Sequence, residues 1–313
     1  MRRLLLIGML LILSGCRHKD LWMGGEQYAI MEVVFDWSGA ATRAEPGGPL
    51  SMSLYLYPEN GNAPLYYEFS GHAGGSIRVP FGYYTAVAWN HENISILLRG
   101  RGEAATLEAY TREEPMLSAL GLLTRAPRPA ALEGERSVLE PGPFWTGSIS
   151  HLEVSLSAPL KMVIPITDAY ERLSVEVRDV ENIQFVSEVS FAISSVSASR
   201  MVASGALGAE NVAVPFGGRV VAGEFLEGQG TLFGHCPGET HEHWLSIYAI
   251  LADGSKYFTH VDVTEQMHRA GEDRLKIELD LEGIAFPNPF DGDASAYTQV
   301  DDWLTENIDL IMH

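Results

Sequence analysis

The densest group of chemically capable side chains is His235-Cys236-Pro237-Gly238-Glu239-Thr240-His241-Glu242-His243. Zinc takes three or four His, Cys or carboxylate donors in tetrahedral reach. His241 and His243, two residues apart, share one face of an extended segment, and His235 or Cys236 closes a site from the preceding strand. These four are the candidate metal ligands. Their spacing matches none of the established zinc patterns, so the segment reads first as a structural loop, and no cofactor is expected. Asp291-Gly292-Asp293 opens like a calcium loop, but Ala296 stands where glycine is required and Asp302 where the bidentate glutamate belongs. Gly100-Arg101-Gly102-Glu103-Ala104-Ala105 approximates a dinucleotide fingerprint, yet a strand-like run follows it where a phosphate-cradling helix is needed. No nucleophile elbow, His-Glu-x-x-His helix or phosphate-binding Gly-Lys loop is present, so no enzymatic reading is favoured. The aromatic doublets Tyr66-Tyr67 and Tyr83-Tyr84, with Trp89, are the candidate platform for stacking on a glycan. In an alternating strand one member of each doublet faces outward in any case.

These residues sit among elements with a strand rhythm. Met31, Val33, Phe35 and Trp37 alternate with Glu32, Val34 and Asp36, the period of a half-buried strand. Residues 52–57 and 65–69 flank the turn Pro58-Glu59-Asn60-Gly61-Asn62 and predict a hairpin. Further strands are expected at 76–81, 84–90, 105–111, 152–156, 160–167, 173–177, 186–194, 212–216, 220–225, 244–251, 256–263 and 275–281. Ala252-Asp253-Gly254-Ser255 is a tight turn. Arg112–Leu123 reads as one short helix, with Pro115 in its first turn. Pro127, Pro129, Pro141 and Pro143 make residues 124–147 an irregular crossing. Short strands with frequent turns and almost no helix imply an all-β chain of two antiparallel β-sandwich domains. The expected division is a tether at 16–27, one sandwich at 28–148 and a second at 149–313 with an acidic tail. Ile308, Leu310 and Met312 alternate with Asp309, Ile311 and His313, as in a terminal strand.

Arg2 and Arg3, an apolar run from Leu4 to Leu13 and then Leu13-Ser14-Gly15-Cys16 describe a secretory signal. The run is too short to span a bilayer, which takes roughly 20 residues. Its ending resembles the bacterial lipobox, which makes Cys16 the lipidated first residue of the mature chain and acyl chains its membrane anchor. The 313 residues carry 41 acidic and 21 basic side chains, a formal charge of −20 that becomes −22 once residues 1–15 are removed. Nucleic-acid binding, which depends on Lys and Arg against phosphate, is disfavoured. So acidic a body is repelled by anionic membrane.

Several segments together resemble a family of Bacteroidales surface lipoproteins of unassigned function. They are Cys16-Arg17-His18-Lys19-Asp20-Leu21, Val34-Phe35-Asp36-Trp37, Met52–Pro58, Phe233-Gly234-His235-Cys236-Pro237, Tyr248–Ser255, Val261-Asp262-Val263-Thr264 and Val300-Asp301-Asp302-Trp303. That family in turn is similar to the fimbrillin-like proteins of adhesive pili. The resemblance implies two transthyretin-like β-sandwiches, outer-membrane attachment through lipid with display on the cell surface, and other fimbrial or surface subunits as partners. It also implies association by strand exchange, with Ile308, Leu310 and Met312 as the candidate donor, and trimming after an arginine, for which Arg43 is the candidate. The alternative expectation is a glycan-binding surface lipoprotein accessory to polysaccharide uptake. Within the resemblance the His-Cys-Pro loop belongs to a shared framework, which favours a structural role.

Overall fold

The first predicted strand forms because its odd-numbered residues are apolar: Ala29, Met31, Val33 and Phe35 are buried while Tyr28, Ile30 and Glu32 face out. The computed structural model describes residues 27–41, 49–235, 241–269, 276–290, 298–300 and 303–305. In chain order the strands are β1 (Tyr28–Asp36), β2 (Ser51–Pro58), β3 (Leu65–Ser70), β4 (Gly74–Pro80), β5 (Gly82–Asn90), β6 (Leu97–Arg99) and β7 (Glu108–Tyr110). Then come β8 (Arg136–Ser137), β9 (Trp145–Val154), β10 (Lys161–Pro165), β11 (Thr167–Asp168), β12 (Glu171–Arg178), β13 (Val186–Ser197) and β14 (Ser199–Met201). The rest are β15 (Asn211–Val221), β16 (Phe225–Leu232), β17 (Trp244–Leu251), β18 (Lys256–Asp262), β19 (Lys276–Glu282), β20 (Thr298–Val300) and β21 (Trp303–Thr305). A single α-helix is assigned among the described residues, α1 (Thr264–His268).

The chain is all-β, and its strands build two sandwiches. In the first, the sheet β10-β1-β4 faces the sheet β11-β9-β5-β2-β3. Met31, Phe35, Val79 and Ile164 from one side pack on Met52, Leu54, Phe69 and Ala86 from the other. In the second, β19-β12-β16 faces β13-β17-β18, and β15 joins the two layers by pairing with β13 along its first half and β16 along its second. Val175, Phe191, Phe216, Ile247 and Leu279 lie in that core. A small sheet, β14-β7-β6, unites strands from both halves over Trp89, Leu107, Phe144 and Phe233. The expected division at 148/149 falls inside β9, and β10 and β11 beyond it still pair with β1 and β9.

Three expectations need correction. Residues 112–123 are not a helix; only Ser118–Leu120 makes a 3-10 turn, closed by Gly121 at φ 69°. The Leu139 N–H goes to the Arg112 carbonyl and the Glu114 N–H to the Ser137 carbonyl, so the backbone groups a helix would use are taken by a crossing segment. Met116, Leu117 and Leu120 instead cover the outer face of the second sandwich, against Ala192, Ala213, Tyr248 and Trp303. The strand expected at 220–225 is interrupted by a hairpin turn at 222–224, with Ala222 and Gly223 both at positive φ, between the end of β15 and the start of β16, and Gly217-Gly218 is strand interior. A Cβ on Gly218 would lie 2.5 Å from the Phe191 ring, so that glycine makes room for the core. Residues 104–106 form a 3-10 turn ahead of the three-residue β7. Pairing is mostly antiparallel, but β1–β10, β12–β19, β15–β8 and β18–β21 are parallel.

Candidate functional site

The register of the β2–β3 hairpin sets one aromatic face. Tyr55 opposes Tyr66, and Ser53 opposes both Glu68 on β3 and Trp89 on β5. Tyr55 lies 5.1 Å from Tyr66 and 5.3 Å from Trp89, ring centre to ring centre. Tyr66 is 43% exposed and donates its hydroxyl proton to Glu68 at 2.6 Å, while Trp89 is buried beneath. Burial first, then the Glu68 hydrogen bond, raises the Tyr66 hydroxyl to about 12. The five expected platform residues therefore separate. Tyr67 and Tyr84 turn toward the first core, and the exposed Tyr83 stacks on His151 at 4.9 Å. Tyr55 is the member that sequence reasoning missed; its signal was its mirror position across the hairpin turn.

Strand edges differ between the halves. β3 stands last in its sheet and pairs with β2. β19 also stands last, but it alternates inward Ile277, Leu279 and Leu281 with outward Glu278, Asp280 and Glu282. The Gln266 side chain, from α1, accepts from the Asp280 N–H and donates to its carbonyl, both at 3.0 Å, as a neighbouring strand would. Acidic side chains and a side-chain cap are the usual means of blunting an edge. At the carboxyl-terminal end, Trp303 is fully buried and β21 pairs with β18 in its own sandwich. Ile308, Leu310 and Met312, like Cys16, Arg43 and Cys236, lie outside the described residues.

Of the expected metal donors, His235 and His243 come close, with ring centres 6.2 Å apart, and each lies within 6.2 Å of His268. His241 instead accepts from the Asn211 amide at 3.3 Å. His235 Nδ1 donates to Glu171 at 2.8 Å, which raises its pKa. Among the described residues no three His, Cys, Asp or Glu side chains are arranged to hold a metal ion. Glu171 and His268 join this cluster from distant elements, so spacing gave no sign of them. The cluster abuts a bulge in β13 at Ser194-Ser195, where Ser195 has φ 57°. His243 Nδ1 donates to the Ser194 carbonyl at 3.1 Å, and Glu135 accepts from the Ser195 N–H at 2.7 Å. Burial pushes the His243 imidazole down to about 4 and the Glu135 carboxyl up to about 7.

Comparison with known proteins bears on the family and fold. The family described as "Domain of unknown function (DUF5119)" matches residues 15–217. A Bacteroides ovatus protein named "Putative fimbrium anchoring subunit Fim4B" is 31% identical over 110 residues, which span 34% of this chain and 31% of that protein. The chain thus matches less than a third of that relative's length. A crystal structure of a "putative adhesin" from Bacteroides ovatus is similar with TM-score 0.59 and 19% identity, over 84% of this chain and 95% of that one. The fimbrial anchor protein Mfa2 from Porphyromonas gingivalis is similar with TM-score 0.50 and 16% identity, over 88% and 99% of the two chains. Among the described residues no helix is long and apolar enough to cross a membrane.

Proposed function

The chain belongs to the DUF5119 family, and from that premise we propose that it is a non-enzymatic, lipid-anchored outer-membrane protein acting at the cell surface in fimbria-like assembly or adhesion. Cys16 carries the lipid, and association runs through main-chain strand pairing with a partner subunit. The observation that supports this most is the contrast of edges: β19 is blunted by acids and capped by Gln266, whereas β3 ends its sheet beside an exposed aromatic face. An added strand satisfies the outer N–H and C=O groups of such an edge and sets its alternate side chains against Tyr66 and Leu65. The relative named as a fimbrium anchoring subunit and the fold shared with a fimbrial anchor support the same reading. Ile308, Leu310 and Met312 are the proposed donor strand, and Trp303–Thr305, which pairs with β18, is excluded from it.

The test is removal of Glu306–His313 from the lipidated chain in its native host. The expected result is a folded, membrane-attached protein that no longer co-purifies with other surface subunits. Undiminished co-purification would remove strand donation from this end. Replacing Cys16 with alanine should release the chain to the medium. A second reading, glycan binding, has one observation in its favour, the exposed Tyr66 ring backed by Tyr55 and Trp89, with Glu68 and His91 3.7 Å apart beside it. On that reading Tyr66→Ala abolishes binding on a glycan array and the terminal truncation changes nothing.

A further inference from the structure

The described residues expose twelve large hydrophobic side chains; three of them, Tyr28, Ile30 and Val163, stand on the outer face of the β10-β1-β4 sheet, and Leu156 and Leu160 are exposed on the loop that leads into its edge strand β10. Ile30 is 69% exposed, Leu156 85% and Leu160 52%. Tyr28 and Ile30 point out from β1, and Val163 points out from β10, which runs parallel to it. Leu156 and Leu160 sit on the loop entering β10, and the Leu160 carbonyl accepts from the Glu32 N–H at 2.8 Å. The same surface carries Arg78, whose guanidinium stands 3.9 Å over the Tyr28 ring, and Lys161, facing Glu32 across the sheet. Two cations against Glu32 and Asp36 leave this face close to neutral, in a chain of formal charge −20.

We propose that this surface seats the protein on the lipid bilayer beside its own anchor, an inference that rests on lipidation at Cys16. The occupant is identified by position and chemistry. The Phe81 N–H donates to the Gln27 carbonyl at 2.7 Å, fixing where the chain enters the fold, and that point borders Tyr28 and the β4–β5 turn. Eleven residues, 17–27, separate it from Cys16, a reach of at most about 40 Å. A surface held that close to a membrane meets it at high effective concentration, so a small apolar patch is sufficient. Aliphatic side chains flanked by Tyr, Arg and Lys, without excess negative charge, are what the interfacial zone accepts. The acidic body still stands off an anionic leaflet, so seating is favoured on zwitterionic lipid and weakened by anionic lipid at low salt.

The test uses the full lipidated chain, with Cys236→Ser, in phosphatidylcholine vesicles, carrying an environment-sensitive fluorophore at Leu156→Cys or at Leu123→Cys. Leu123 is equally exposed but follows directly on Met116, Leu117 and Leu120, which pack on the second sandwich. The prediction is a blue shift and quenching by lipid-borne quenchers at 156, neither at 123, and loss of both at 156 on adding Ile30→Asp and Leu160→Asp. A chain that floats with the vesicles yet is unquenched at 156 overturns the seating surface and leaves the anchor standing. Cross-linking through position 156 to a second protein, with no lipid quenching, assigns the surface to a protein partner and also overturns it. A chain that does not float overturns the anchor itself, and the seating with it.

Discussion

The two sandwiches share a construction but treat their surfaces differently. The second covers its β19 edge and its outer face: Gln266 caps β19, and Met116, Leu117 and Leu120 join Trp303 in covering Tyr248 and Phe258. The first leaves β3 at the end of its sheet, Tyr66 exposed on one layer, and Ile30 and Val163 exposed on the other. Apolar surface exposed in a patch costs solubility unless something covers it. The difference is that the second sandwich covers its β19 edge and outer face with its own chain, whereas the first leaves comparable surface open, as the proposed contact role requires.

The strongest way to break the comparison is to open the second sandwich. Trp303→Ala removes a fully buried ring and is expected to cost about 3–5 kcal/mol in urea denaturation. A loss below about 1 kcal/mol would mean that β21 is not part of its own sheet's stability. Next in size is the bulge, held from opposite sides by two groups of opposite pH sign. His243, depressed from 6.5 to about 4, stabilises the fold above pH 6.5 and loses that contribution as pH falls toward 4. Glu135, raised from 4.5 to about 7, stabilises it below pH 4.5 and loses that contribution as pH rises through 7. His235, raised by Glu171, acts in the same sense as Glu135, and Arg128 partly offsets the burial of Glu135. Glu135→Gln should therefore gain stability relative to the parent, by about 3 kcal/mol, between pH 4.5 and 7. Parallel pH profiles for the two proteins would contradict the assignment.

A smaller change sharpens the contrast of edges. Gln266→Ala strips two hydrogen bonds from Asp280 and should cost about 1 kcal/mol. It should also give β19 a new tendency to self-associate in sedimentation, which the acids Glu278 and Glu282 keep modest. Smallest of all, Ile30→Asp should leave the unfolding free energy within about 0.5 kcal/mol, because an exposed side chain contributes little to folding. A large loss there would show that the patch belongs to the protein's own core.

What was legible in the sequence was local. Alternation placed β1, the hairpin of residues 52–57 and 65–69, and the rule that one tyrosine of each doublet faces outward, because period and turn chemistry lie within a few residues. What was not legible was long-range. Nothing in Lys161–Pro165 says that it runs parallel to β1, about 130 positions earlier. Residues 112–123 carry a helical composition, but their backbone groups are claimed by residues 137–139. The expected strands at 212–216 and 220–225 leave out Gly217-Gly218, through which β15 runs unbroken because Phe191 needs the space a Cβ on Gly218 would take. The candidate surfaces divide in the same way: Tyr66 was marked by its doublet, whereas Glu171, His268 and Gln266 are placed by tertiary packing alone.

The contact role of the first sandwich is tested most directly by photo-cross-linking in the native host, with a benzophenone side chain at Glu68 on β3 and, separately, at Asp280 on β19. Both positions are outward acids on terminal strands of their sheets. The account predicts a discrete adduct with a surface subunit from position 68 and none from position 280. Equal adducts from both positions, or an adduct from 280 alone, would contradict it.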